Sequence, residues 1–151
     1  MNDTNQIEEI YPMPSFVTLR VSDPAASKKW YEDALGFRHI FSIPGPGSKP
    51  ALVHLRWTKY ADLLLQLQGA SDRNLVKGKG FTLNFSVADG TVDELADRAR
   101  RYGASIVSEP KNQPWNARDF SVADPDGFTL TFTKGPIDPG LGMENIINRG
   151  R

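Results

Sequence analysis

Phe16-Val17-Thr18-Leu19-Arg20-Val21-Ser22-Asp23 alternates polar and apolar side chains, the period-two pattern of a strand buried on one face. Thr82-Leu83-Asn84-Phe85-Ser86-Val87-Ala88-Asp89 repeats that pattern about 66 residues later. A helix is expected after each strand. The first opens on Asp23-Pro24, an N-cap followed by a proline where its missing N–H costs nothing; it carries Ala26, Trp30 and Ala34 on one face and stops at Gly36. The second opens on Thr91 with Glu94 three residues on, a capping box, has the apolar stripe Val92, Leu95, Ala99 and Tyr102, and stops at Gly103.

Three strands are expected after each helix. They read roughly Phe37–Ile43, Ala51–Trp57 and Asp62–Gln68, then Ala104–Ser108, Arg118–Ala123 and Phe128–Thr133. Asp124-Pro125-Asp126-Gly127 suits a type I turn. The chain therefore reads as an α+β protein made of two tandem βαβββ modules. Their antiparallel or mixed sheets are expected to cup around one cavity. Residues 1–151 form a single domain in this reading: module one about 14–69, a linker 70–80, module two about 81–134 and a tail 135–151. The tail is rich in Gly and Pro with an apolar patch at Met143–Ile147; its sequence suits either disorder or packing on a neighbouring surface.

Strand alternation sorts the faces. Leu19, Val21, Leu55, Leu63 and Leu65, like Phe85, Phe120 and Phe132, are expected beneath the helices. The opposite face then presents Phe16, Arg20, His54, Arg56 and Gln66 from module one, and Thr82, Asn84, Asp119 and Thr131 from module two. A solvated sheet face has the same polarity, so the pattern alone does not prove a pocket.

Composition narrows the function classes. With 18 Lys and Arg against 18 Asp and Glu, no field steers the chain toward nucleic acid or an anionic membrane. The absence of cysteine excludes thiolate chemistry and disulfides. No apolar run reaches the ~20 residues of a membrane span, and the acidic Met1–Glu9 segment is unlike a signal peptide, so a cytoplasmic location is expected.

Three segments carry a family resemblance: Val21-Ser22-Asp23-Pro24-Ala25-Ala26-Ser27, Trp30-Tyr31-Glu32-Asp33-Ala34-Leu35-Gly36-Phe37 and Phe120-Ser121-Val122-Ala123-Asp124-Pro125-Asp126-Gly127. In this order they resemble the vicinal-oxygen-chelate superfamily of glyoxalase I, bleomycin-resistance proteins and extradiol dioxygenases. The enzymes of that family hold a divalent metal with His and Glu from four strands. The resemblance puts Phe16, Gln66, Thr82 and Thr131 at those positions. Phenyl cannot bind a metal, hydroxyl and amide bind it poorly, and no metal or other cofactor is expected. A rearranged site using His54, Asp119 and Gln66 is the alternative. His39 reads as a core or rim histidine.

Asn112-Gln113-Pro114-Trp115, ahead of the third strand of module two, resembles the bleomycin-resistance branch, whose members sequester a drug in a dimer groove. Trp115 is then either an aromatic wall for a ligand or a packing plug. Because the chain is formally neutral and presents Arg20 and Arg56, a cationic drug such as bleomycin is disfavoured.

The function expected from these residues is metal-independent binding of an aromatic or amphipathic small molecule, through Phe16, Arg20, His54, Arg56, Gln66, Asn84, Trp115, Asp119 and Thr131. Pairing of Arg20 or Arg56 with Asp119 within the sheet, which would neutralise those charges, is the alternative to their ligand role. The resemblance implies a homodimer, and no nucleic-acid or membrane partner is expected. The alternative is an enzyme on a carbonyl compound, a metal-free lyase or isomerase with His54 as base beside Asp119, or a dioxygenase-like enzyme with a rearranged metal site.

Overall fold

The computed structural model describes residues 9–149; Met1 to Glu8 of the acidic N-terminal segment and the last two residues of the chain lie outside them. The chain divides into two compact units, Met1–Lys77 and Gly78–Arg151. Each is a βαβββ module with a four-stranded mixed sheet.

In the first unit, β1 (Val17–Val21) leads into α1 (Pro24–Trp30), followed by β2 (Arg38–Pro44), β3 (Pro50–Thr58) and β4 (Ala61–Leu67). The sheet order is β1-β4-β3-β2, with β1 parallel to β4 and the other pairs antiparallel. Asp23 caps α1 by accepting from the N–H groups of Ala25 and Ala26, both at 3.2 Å. After Trp30 the helix widens into a π-turn over Tyr31–Leu35, and Gly36 ends it at φ 82°. The expected apolar face is corrected. Ala26 is exposed, and the buried side chains are Pro24, Ser27, Tyr31, Ala34 and Leu35. These have the i, i+3, i+7, i+10, i+11 spacing of one helical face, which Ala26 does not share.

In the second unit β5 (Leu83–Ser86) precedes α2 (Val92–Arg101), then come β6 (Ser105–Gln113), β7 (Ala117–Ala123) and β8 (Thr129–Lys134), in sheet order β5-β8-β7-β6. The capping box forms: Glu94 N–H donates to Thr91 Oγ1 at 3.0 Å and Thr91 N–H to Glu94 Oε2 at 3.3 Å. Val92, Ala96 and Ala99 face the core, while Tyr102 lies exposed beyond the helix end. Asp124 fastens the last hairpin; its Oδ1 accepts from Asp126 and Phe128 N–H groups at 2.9 and 2.8 Å.

One segment differs from the sequence reading and a second decides between its alternatives. β6 continues to Gln113, so Asn112 and Gln113 belong to a strand, and only Pro114 to Asn116 turn, with Asn116 at φ 63°. The tail is not a loose end. Asn116 Nδ2 donates to the carbonyls of Asp138 and Leu141 at 2.9 and 3.2 Å, and its Oδ1 accepts from Asp138 N–H at 2.9 Å. The chain then forms the short helix α3 (Met143–Asn148).

Candidate functional site

The strand register places the predicted residues on the open face of each sheet, away from its helix. In the first unit Thr18, Leu64, His54 and Phe41 form one row across the sheet, Arg20, Gln66 and Leu52 a second, and Asp62 with Arg56 a third. In the second unit Asn84, Thr131, Ser121 and Ser108 form a row of small polar side chains, and Ser86, Thr133, Asp119 and Lys111 the next.

Accessibility divides these residues. Phe16, Arg20, Gln66, Asn84 and Trp115 are exposed, whereas His54, Arg56, Asp119 and Thr131 are buried. Trp115 is 53% exposed, so the packing-plug alternative does not describe it.

The buried charges are organised differently from the sequence reading. Arg56 is 0% exposed, and its Nε donates to Asp62 Oδ1 at 2.5 Å while Nη1 donates to the Glu9 carbonyl at 2.7 Å. The Tyr11 ring covers the guanidinium at 4.3 Å, and the Tyr11 hydroxyl donates to Asp62 Oδ2 at 2.9 Å while accepting from Tyr60 N–H at 2.6 Å. Burial pushes the Tyr11 phenol above its ordinary range, so it stays a donor. Arg20 pairs with Asp72 at 3.1 Å, and Asp119 accepts from Gln113 at 2.8 Å. The pairing of Arg20 or Arg56 with Asp119, the alternative above, is thus replaced by pairing with Asp72 and Asp62.

Asp62 and Tyr11 are the residues that sequence reasoning missed. Asp62 was readable only in part. The turn after Thr58 brings the start of β4 back against β3, but counting from the Thr58–Ala61 pair sets Asp62 opposite Trp57, and only the register shift between Thr58 and Arg56 brings it opposite Arg56. Tyr11 reaches the site along an irregular arm with no periodicity, so nothing in its own neighbourhood announces it.

His54 is 3% exposed and lies edge-on to Phe41 with ring centroids 5.0 Å apart. Its Nε2 stands 3.5 Å from Asp62 Oδ1, too loose for a formed hydrogen bond, and neither ring nitrogen has a hydrogen-bond partner. Asp62, rather than Asp119, is therefore the carboxylate beside this imidazole. Burial lowers the His54 pKa, outweighing the pull of Asp62, so the ring is neutral at neutral pH. The unfolded chain, with His54 near 6.5, binds a proton that the folded chain refuses. Stability from this group is fully present above that value and is lost as pH falls below it, by at most ~1.4 kcal/mol per pH unit. Urea titrations of the wild type and His54→Leu from pH 7.5 to 5 are expected to differ in slope, with the wild type losing more; parallel curves would refute the assignment. His39, half-buried, meets Ser42 Oγ at 2.7 Å.

The positions at which the resemblance implies metal ligands do not fit a metal. Thr131 Oγ1 hydrogen-bonds with Ser121 Oγ at 2.7 Å and with Thr82 Oγ1 at 3.0 Å, and Thr82 Oγ1 also donates to the Thr129 carbonyl at 3.2 Å. The hydroxyls are engaged with one another, Gln66 offers a neutral amide, and Phe16 offers nothing. Among the described residues no group of three His, Asp or Glu side chains has a metal-holding arrangement.

The fold and the repeat agree with what comparison shows. The model of the Glyoxalase/Bleomycin resistance protein/Dioxygenase superfamily matches residues 14–132. The chain belongs to this superfamily. Among solved structures of the superfamily fold, TioX from Micromonospora sp. ML1 is 27% identical, with 80% of this chain and 94% of TioX covered and a TM-score of 0.62. A glyoxalase/bleomycin resistance protein/dioxygenase family enzyme from Burkholderia phytofirmans PsJN is 23% identical over 80% of this chain and 96% of its own, with a TM-score of 0.65. TnmS3, an antibiotic binding protein from Streptomyces sp. CB03234, is 23% identical over 79% and 92%, with a TM-score of 0.61. No curated protein matches the chain by sequence. No helix of the described residues is long and apolar enough to cross a membrane.

Proposed function

We propose that this superfamily member is a metal-independent binding protein that sequesters or carries an aromatic or amphipathic small molecule, nearest in kind to the bleomycin-resistance branch. The observation that carries the reading is the Thr82–Thr131–Ser121 hydroxyl chain: Thr82 and Thr131, at two positions where the resemblance implies a histidine and a glutamate, are bonded to each other and to Ser121. The neighbour TnmS3 supports it as an example of antibiotic binding on this fold.

Contact with the ligand falls to the exposed Phe16, Arg20, Gln66, Asn84 and Trp115. The buried His54, Arg56, Asp119 and Thr131 fix the sheet beneath. The reading takes the whole chain as one domain, acting as a cytoplasmic homodimer; a monomer by light scattering would remove the dimer.

The test is thermal-shift screening of the purified protein against aromatic compounds, followed by titration of a hit into Phe16→Ala and Trp115→Ala. Each is expected to weaken binding about tenfold, since a buried aromatic contact is worth ~0.5–1.5 kcal/mol beyond its area. Unchanged affinity in both variants, or a stoichiometric divalent metal by elemental analysis, would overturn the reading.

One observation favours a second reading, a metal-free lyase or isomerase: the neutral His54 imidazole, with unengaged nitrogens beside Asp62, has the protonation state of a general base. Turnover surviving His54→Ala removes it.

A further inference from the structure

A cavity of about 420 Å³ opens at the carboxyl ends of the parallel strands β1 and β4, lined by Ser22, Lys49, Leu67, Gln68 and Arg73. The size is that of an organic ligand site and far exceeds a bare oxyanion. Its charge is one-sided. Lys49 Nζ donates to the Ser22 carbonyl at 3.3 Å, and neither Lys49 nor Arg73 has an ion-pair partner among the described residues. Lys77 Nζ donates to Gln68 Oε1 at 2.6 Å, which brings a third cation to the rim.

The nearby carboxylates are committed elsewhere. Asp72, 5% exposed, takes Arg20 on one oxygen and the Gly69 N–H at 2.9 Å on the other. Asp23 caps α1. Lys49 and Arg73 therefore carry charge without a carboxylate partner among the described residues, although the whole chain is neutral.

The second unit shows the alternative arrangement. The repeat offset of about 66 residues carries Ser22 to Ala88 and Gln68 to Lys134. There Lys134 Nζ donates to the carbonyls of Ala88 and Gly90 at 3.2 and 2.6 Å, so the lysine is consumed by the backbone. In the first unit the neutral amide of Gln68 takes that position and accepts from Lys77, Lys49 reaches the equivalent Ser22 carbonyl, and Arg73 lines the open space.

We propose that this cavity binds the oxyanion of an organic carboxylate or phosphate monoester, with Arg73 as a planar fork, Lys49 as a point charge and Leu67 against the organic part. Ser22 and Gln68 lie two residues beyond Arg20 and Gln66, and the proposal does not depend on the ligand contacts of the proposed function.

The experiment is isothermal titration of the full chain with benzoate, phenyl phosphate and inorganic phosphate at low salt. Saturable binding of at least one probe is expected, weakened at least tenfold by Arg73→Gln and by Lys49→Gln, reduced at high salt and unchanged by Phe16→Ala. Whether benzoate or phenyl phosphate binds more tightly identifies the head group. Arg73 and Lys49 are exposed, so both variants are expected to unfold at the wild-type temperature. Binding of no probe, or equal affinity in the Arg73→Gln/Lys49→Gln double variant, overturns the proposal. Loss of anion binding in Phe16→Ala alone would move the oxyanion to the open face, sinking this site while leaving the binding-protein reading intact.

Discussion

Asp62→Ala is expected to destabilise the protein by about 3–5 kcal/mol, enough to unfold it at moderate temperature. The reason is what the substitution leaves behind. Arg56 is fully buried, and Asp62 is its carboxylate and lies 1% exposed itself. Without that charge the guanidinium keeps the Glu9 carbonyl and the face of Tyr11, neither of which neutralises it. Tyr11 loses its acceptor in the same step.

The pair itself contributes far less than this, because taking two charges out of water costs about as much as their attraction returns. Arg56→Met combined with Asp62→Leu is therefore expected to recover most of the loss, with a coupling of several kcal/mol in the double-mutant cycle. Denaturant unfolding of the two single variants and the double variant checks this. If Asp62→Ala costs less than ~1 kcal/mol, water reaches Arg56 and the buried network is not one.

Much of this architecture was legible because several local signals agreed. The alternation at Phe16–Asp23 and Thr82–Asp89 named the first strands. Asp23-Pro24 and the Thr91/Glu94 box named the helix starts, and Gly36 and Gly103 the stops. Errors arose where one residue more or less changes the phase. The buried face of the first helix runs through Pro24, Ser27 and Tyr31, out of phase with the Ala26 and Trp30 that composition favours. β6 runs on through Lys111 and Asn112, polar residues that do not look like strand but pair with Asp119 and Arg118. At the site, face assignment came from alternation alone. Partner assignment needed register and the arm carrying Tyr11, which no local pattern encodes.

Phe132→Ala is the second large effect, expected to cost about 3–5 kcal/mol. Phe132 is fully buried at the centre of an aromatic stack that crosses three strands, with Phe85 on β5 and Phe120 on β7 each 5.6 Å away and inclined by 23°. These are the residues that face one another in the ladder, Phe85 with Phe132 and Phe132 with Phe120. Truncation therefore removes two ring contacts at once and leaves a cavity between side chains whose positions are fixed by the sheet, where collapse is limited. Phe85 is only half-buried and touches the stack from its edge, so Phe85→Ala is expected to cost clearly less, about 1–2 kcal/mol. The consequence extends to the opposite face. Thr131 is the neighbour of Phe132 on β8, and its hydroxyl joins Thr82 to Ser121. A sheet that shifts to fill the cavity loosens that chain of hydroxyls. The Phe132→Leu variant, which keeps most of the volume, is expected to retain ligand affinity at reduced stability. Equal losses for Phe85→Ala and Phe132→Ala would mean that burial, not position in the stack, was misjudged.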